Sequence, residues 1–154
     1  MLRVSKHTDY GIVLLAAIVE NSDGVPCSAR ELAEMTHLPL PMVSKILKVL
    51  CREEILTSQR GIKGGYSLAR PATEVTLVCI VQALEGGPIA LTECIGEPGE
   101  CHYEESCPVQ VNWLNINTLI RNALKEITLL DMIRPMPGLV QLGGDSEESA
   151  QLSR

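Results

Sequence analysis

Apolar and polar residues alternate along this chain in several distinct rhythms, each predicting a different element. Residues 9–20, DYGIVLLAAIVE, are apolar around most of a helical circumference, the pattern of a buried helix. NSDGVP at 21–26 is a turn cluster. Ser28 then opens SARELAEM, and Ser28 with Glu31 forms the S-x-x-E box that starts a helix. Two prolines within 37–41 turn the chain again, and Pro41 suits the first turn of the next helix, where its missing N–H would be unpaired anyway. On that helix Val43, Ile46, Leu47 and Leu50 fall at i, i+3, i+4 and i+7, a core stripe. Lys45, Lys48 and Arg52 lie on another face. ILTSQ and YSLAR read as two short strands joined by RGIKGG, a hairpin whose tip carries Arg60 and Lys63 and is eased by Gly61, Gly64 and Gly65.

Beyond Pro71, TEVTLVCIVQALEG predicts a further helix, ended by Gly86-Gly87-Pro88. The stretch from Leu91 to Pro108 is expected to be a loop without regular structure. A long helix is expected over 108–133, with Val109, Trp113, Ile116, Ile120, Ala123, Ile127 and Leu130 on a seven-residue repeat, the seam of paired helices. A second apolar row (Leu114, Leu119, Leu124, Leu129) cannot be buried by the same seam. One side would pack on its own domain and the other on a second subunit, although a single helix packed on both sides within one chain gives the same pattern. Residues 136–154 are rich in Gly, Ser and acid and are expected to be a disordered tail.

Helix, short helix, turn, helix and hairpin follow the order of a winged helix-turn-helix. The predicted fold is mainly α with a small β-hairpin. Its parts are a DNA-binding unit at 1–71, a sensor loop (91–108) and dimerisation helix within 72–135, and the tail. The second helix of such a pair lies in the major groove. Lys45, Lys48 and Arg52 would reach phosphates, with Met42 and Ser44 toward base edges and Arg60 and Lys63 on the backbone or minor groove. Ser28, Pro41 and Gly64 complete the candidate interface. A charged stripe by itself is also what a solvated helix face looks like. The order of the elements around it favours double-stranded DNA, and a two-fold DNA site calls for a homodimer.

Charge complicates this picture. Over 154 residues, 13 Lys+Arg stand against 19 Asp+Glu, a net charge of −6 that argues against an indiscriminate nucleic-acid coat. The average conceals a split. Residues 1–71 hold nine basic and seven acidic residues, +2, while 72–154 hold four and twelve, −8. Within 41–71 there are six basic residues and two acidic. One Trp, three Tyr and no Phe disfavour a sheet that stacks bases. No apolar run approaches the roughly 18 residues of a membrane span. The opening MLRVSKHTDYG lacks the apolar region of a secretory signal, so a cytoplasmic location is expected. Nothing resembles a catalytic triad, a phosphate loop or H-E-x-x-H, so neither an enzyme nor a small-molecule substrate is expected.

Six cysteines in a cytoplasmic chain point to reduced thiols, metal ligands or redox groups rather than disulfides. Cys94, Cys101 and Cys107 are spaced C-x6-C-x5-C within the loop. Zinc would want four ligands and usually one tight C-x2–4-C pair, which is absent. Wide spacing suits an iron–sulfur cluster, either 2Fe–2S or 4Fe–4S. A redox disulfide, or a zinc- or thiol-based sensor without a cluster, is the alternative. The fourth ligand is open among His102, Glu104, Glu105, Gln110 and Asp9, the last reaching over from a partner subunit. Cys27, Cys51 and Cys79 lie beside or within helices and read as small buried residues.

The opening RVSKHTDYGIVLL, the stretch SARELAEMTHLPLPMVSKILKVL, the wing RGIKGGYSLAR and the triple-cysteine loop together resemble the IscR/NsrR-type winged-helix regulators. The resemblance covers about 1–135 and is greatest to the regulators of the SUF iron–sulfur assembly genes. It implies a homodimer, usually a repressor, whose DNA binding follows cluster occupancy. IscR-type members complete a 2Fe–2S site with a histidine three residues after the third cysteine, where this chain has Gln110. NsrR-type members complete a 4Fe–4S site with an N-terminal aspartate of the other subunit, a position matched by Asp9 in KHTDYG. The metal set implied is therefore Cys94, Cys101 and Cys107 with Asp9.

Overall fold

A computed structural model of the chain describes residues 4–21, 25–61, 64–96, 99, 101 and 106–134, without the side chain of Cys94. The tail expected at 136–154 and the wing-tip residue Lys63 lie outside them. Among the described residues the elements are α1 (Lys6–Glu20), α2 (Ala29–Thr36), α3 (Leu40–Arg52), β1 (Leu56–Gln59), β2 (Gly65–Leu68), α4 (Leu77–Glu85), α5 (Glu93–Gly96), α6 (Gln110–Glu126) and α7 (Leu129–Ile133). None of these helices is long and apolar enough to cross a membrane.

Local chemistry explains most of the boundaries. Ser5 caps α1, its Oγ accepting from the Thr8 N–H at 3.2 Å. The S-x-x-E box of α2 is complete. Ser28 Oγ accepts from the Glu31 N–H at 3.2 Å, and Glu31 accepts from the Ser28 N–H at 2.7 Å. These bonds hold the Glu31 carboxyl below its ordinary range. Pro41 falls in the first turn of α3, as expected. β1 and β2 pair antiparallel from Leu56↔Leu68 to Gln59↔Gly65. The backbone at Cys27 adds a bridge to Tyr66, with N–H···O distances of 3.0 and 2.8 Å. That approach explains Gly65, where a β-carbon would come within 2.6 Å of the Cys27 carbonyl.

One core joins these parts. Leu14 and Leu15 of α1, Leu32 of α2, the α3 row Val43, Ile46, Leu47 and Leu50, and Ile55 and Leu56 at the wing base are all buried together. The core does not stop at Pro71. Val75, Ile80, Ala83 and Leu129 belong to the same cluster. Where α1 meets α4, the Leu84 side chain occupies the space a β-carbon on Gly11 would take.

Two expectations need correction. The helix expected over 108–133 is two helices. α6 ends at Glu126, Ile127 is extended, and Thr128 starts α7 through a T-x-x-D box with Asp131. The break serves the core. The Leu77 N–H donates to the Ile127 carbonyl and the Leu129 N–H to the Val75 carbonyl, each at 2.7 Å, which returns the chain to the winged domain and buries Leu129. The seven-residue seam therefore stops short of Ile127 and Leu130. Secondly, the stretch 91–108 is not wholly irregular, because the Ile95 N–H donates to the Thr92 carbonyl and a single helical turn, α5, forms at 93–96 and packs on α6.

Candidate nucleic-acid interface and cysteine loop

α3 turns its buried row inward, and this leaves a polar stripe outside. Pro41, Lys45, Lys48 and Arg52 are exposed at i, i+4, i+7 and i+11, with Met42 exposed and Ser44 half-buried beside them. Lys45 and Lys48 make no ion pair among the described residues, while the Arg52 guanidinium donates to Glu53 at 2.9 Å in solvent. Arg60 is exposed at the end of β1, and Gly64 is half-buried at the start of β2. Ser28 spends its oxygen on the α2 cap, so its part in any interface begins with holding α2 in place. Two free cations on a rigid helix, with a third nearby and a fourth on the wing, can engage backbone phosphates.

The cysteine loop lies between α4 and α6. Cys94 sits in α5, with its side chain outside the described residues, as are His102, Glu104 and Glu105. Cys101 and Cys107 are half-buried free thiols. The Cys107 carbonyl accepts from the Gln110 N–H at 3.4 Å, so the third cysteine is fastened to the first residue of α6. Asp9 is exposed in the first turn of α1. Among the described residues of the single chain, no three of His, Cys, Asp and Glu come together as a metal site. The donor chemistry nevertheless suits a soft metal centre. Two unpaired thiols of the loop and an uncommitted carboxylate are present, and the latter would have to be supplied across a subunit boundary. The other cysteines behave differently. Cys27 belongs to the core and accepts from Asn21 Nδ2 at 3.2 Å, while Cys51 and Cys79 are half-buried within helices. Burial pushes the Cys51 thiol up from its ordinary range.

Two polar ties hold this region, one to the winged domain and one between the start of the loop and α6, and sequence reasoning missed both. Glu85, the last residue of α4, accepts from the Ser5 N–H at 3.1 Å and from the Thr8 hydroxyl. The hydroxyl bond foremost, together with Ser5 and the nearby His7, holds the Glu85 carboxyl below its ordinary value. Asn117, at the middle of α6, is buried; its Oδ1 accepts from the Leu91 N–H at 3.2 Å, and its Nδ2 donates to the Ile89 carbonyl at 3.0 Å. The one available signal was a polar residue four after Trp113 and three before Ile120, inside an apolar row.

α6 also presents an apolar surface. Val109, Val111, Trp113, Leu114, Ile116 and Leu119 are all exposed.

A family model described as Rrf2, iron-dependent transcriptional regulator, matches residues 4–135. The chain is 26% identical over 144 residues to the HTH-type transcriptional regulator NsrR of Oceanobacillus iheyensis, covering 93% of this chain and 97% of that one. Among solved structures it is similar to T. potens IscR, with a TM-score of 0.63 and 25% identity over 86% of each chain. It also shares its fold with CymR, the global cysteine regulator of B. subtilis, at a TM-score of 0.65 and 22% identity, covering 86% of this chain and 97% of that one.

Proposed function

Since the chain belongs to the Rrf2 family of DNA-binding transcriptional regulators, and is a regulator rather than an enzyme, we propose that it acts as a homodimeric repressor of iron–sulfur cluster assembly genes. In this reading its hold on DNA is set by an iron–sulfur cluster on Cys94, Cys101 and Cys107, with Asp9 of the partner subunit as the fourth ligand. The observation that carries the proposal is the position of the cysteine loop. It leaves α4, which is packed into the DNA-reading core, and ends on α6, whose apolar face is exposed. A resemblance to regulators of SUF-type genes, the NsrR and IscR names among the relatives, and the soft donor set all support it.

The chain's own residues have definite tasks in this scheme. Lys45, Lys48, Arg52, Arg60 and Lys63 neutralise phosphates; Met42, Ser44 and Pro41 approach base edges; Ser28 and Gly64 hold α2 and the wing in place. The α6 face pairs the two subunits and so sets the spacing of the two α3 helices. When bound, the cluster supplies a tie between thiolates and a carboxylate that oxidants and iron shortage can undo. Cys107, adjoining α6, then passes the condition of the loop to the helix that spaces the DNA-reading units.

Anaerobic purification followed by a visible absorption spectrum and iron and sulfide analysis tests this directly. A coloured chain with matched iron and acid-labile sulfide, both lost in Cys101→Ala and Cys107→Ala, is the expected result. A colourless chain carrying zinc, or no metal, overturns the cluster while leaving DNA binding intact.

A further inference from the structure

Asn117 is one of two polar side chains buried among the described residues, the other being Thr8 of α1. A buried carboxamide is stable only if its donors and its acceptor find partners. Asn117 finds them on backbone groups 26 and 28 residues away, at Leu91 and Ile89. Those two residues stand where the chain enters the cysteine loop, Leu91 being its first residue. They follow Gly86 and Gly87, where α4 ends with Gly86 in the left-handed conformation at φ 81°. A neighbouring apolar residue in place of Asn117 would leave both main-chain groups unpaired at the base of the loop.

We infer that Asn117 is a positioning residue that clamps the entry of the cysteine loop to α6, so that loop, dimer helix and α4 move together. This rests on the reading of the loop as the sensor. At its far end the loop meets α6 through Cys107 and Gln110, and the short α5 packs on the same helix. With the clamp, both ends of the loop are referenced to one helix. A change in the loop's shape then displaces α6 instead of being absorbed as slack in 86–91. Through Glu85 the same segment adjoins the α1 N-terminus, where Ser5 and Thr8 are held. Coupling between two sites requires such an element with a definite position in each state.

The test uses the full chain and two variants, Asn117→Ala and Asn117→Asp. The second keeps the acceptor for the Leu91 N–H and loses the donor to the Ile89 carbonyl. Amide hydrogen exchange on the cluster-free protein reads the clamp itself. Faster exchange is expected at 89–91, spreading to the end of α4, with the α3 core unchanged. Exchange altered only around residue 117, or unaltered, overturns the inference. Fluorescence anisotropy, on a duplex selected from a random library by the purified chain, then compares loaded with cluster-free protein. If the wild-type ratio lies in the common allosteric range of about 5–150-fold, both variants are expected to bring it within about twofold of one while their cluster-free affinity is retained. Variants that lose only melting temperature and keep the ratio overturn the inference with the sensor reading intact. A wild-type ratio of one overturns the sensor reading instead, and exchange alone then decides the clamp.

Discussion

α3 and α6 are announced by the same kind of apolar spacing, yet the structure uses the two differently. On α3 the row Val43, Ile46, Leu47 and Leu50 is fully buried, at 0% exposure. On α6 the rows stay open over the first half of the helix, with Trp113 at 38%, Ile116 at 41% and Leu119 at 68%, Ile120, Ala123 and Leu124 are half-buried, and the residue buried in that helix is Asn117, at 3%. Periodicity thus identifies a helix with a face to bury and is silent on where the burial happens. α3 finds its partner surface inside its own chain, in α1, α2 and the wing base. The exposed apolar residues of α6 meet no such surface among the described residues, and apolar surface left exposed in this number is a candidate interaction site. The polar residues divide in the same way. α3 exposes free cations, whereas α6 buries a carboxamide that organises the neighbouring loop.

The largest effect should come from contrasting the two faces directly. Leu47→Ala should cost about 2–5 kcal/mol in urea unfolding, the range for emptying a packed core site. Leu119→Ala should stay within about 0.5 kcal/mol at concentrations where the chain is monomeric. Similar losses at both positions would break the comparison. Next, Ile116→Glu places a charge on the exposed face. Sedimentation should show dimer dissociation weakened at least about tenfold, or roughly 1.4 kcal/mol, with the melting of the winged domain preserved. An unchanged association constant would remove this face from the subunit contact.

A smaller effect is expected on the outer face of α3. Lys48→Ala should flatten the dependence of log K on log salt by about 0.9, the contribution of one phosphate contact, without altering sequence preference. An unchanged slope would take Lys48 off the interface. The smallest effect concerns Glu85. Its carboxyl is held below the ordinary value of 4.5, so the folded state binds that proton less readily than the unfolded state. The stabilisation is complete above the ordinary value and is lost as pH falls through the lowered one. Because the side chain is exposed, solvent screens most of it. Glu85→Gln should lower stability slightly at neutral pH and make the acid limb of the stability profile shallower, the two proteins converging at low pH; a steeper limb would reverse the assignment.

Much of the winged domain was legible in the chain because its signals are local. Ser28 with Glu31, Pro41, and the i, i+3, i+4, i+7 row act within one or two turns. The break between α6 and α7 was hidden because the seven-residue spacing runs straight across it. Leu129 fits the second apolar row of an unbroken helix, and the competing sign, Thr128 with Asp131, is short. What decides against the unbroken helix is tertiary: the Val75 and Ile127 carbonyls and the buried place of Leu129. The site was legible in part. Cysteine spacing located the loop and the basic stripe located α3. The ties through Glu85 and Asn117 span between 26 and 80 residues and leave no pattern in the sequence.

The central claim is that the cysteine loop governs the grip of α3 on DNA. Operator affinity of the cluster-loaded and cluster-free chain, measured anaerobically on the same duplex at one salt concentration, tests it most directly. Affinities that differ at least about fivefold are predicted, the low end of common allosteric coupling. Equal affinities would contradict the account.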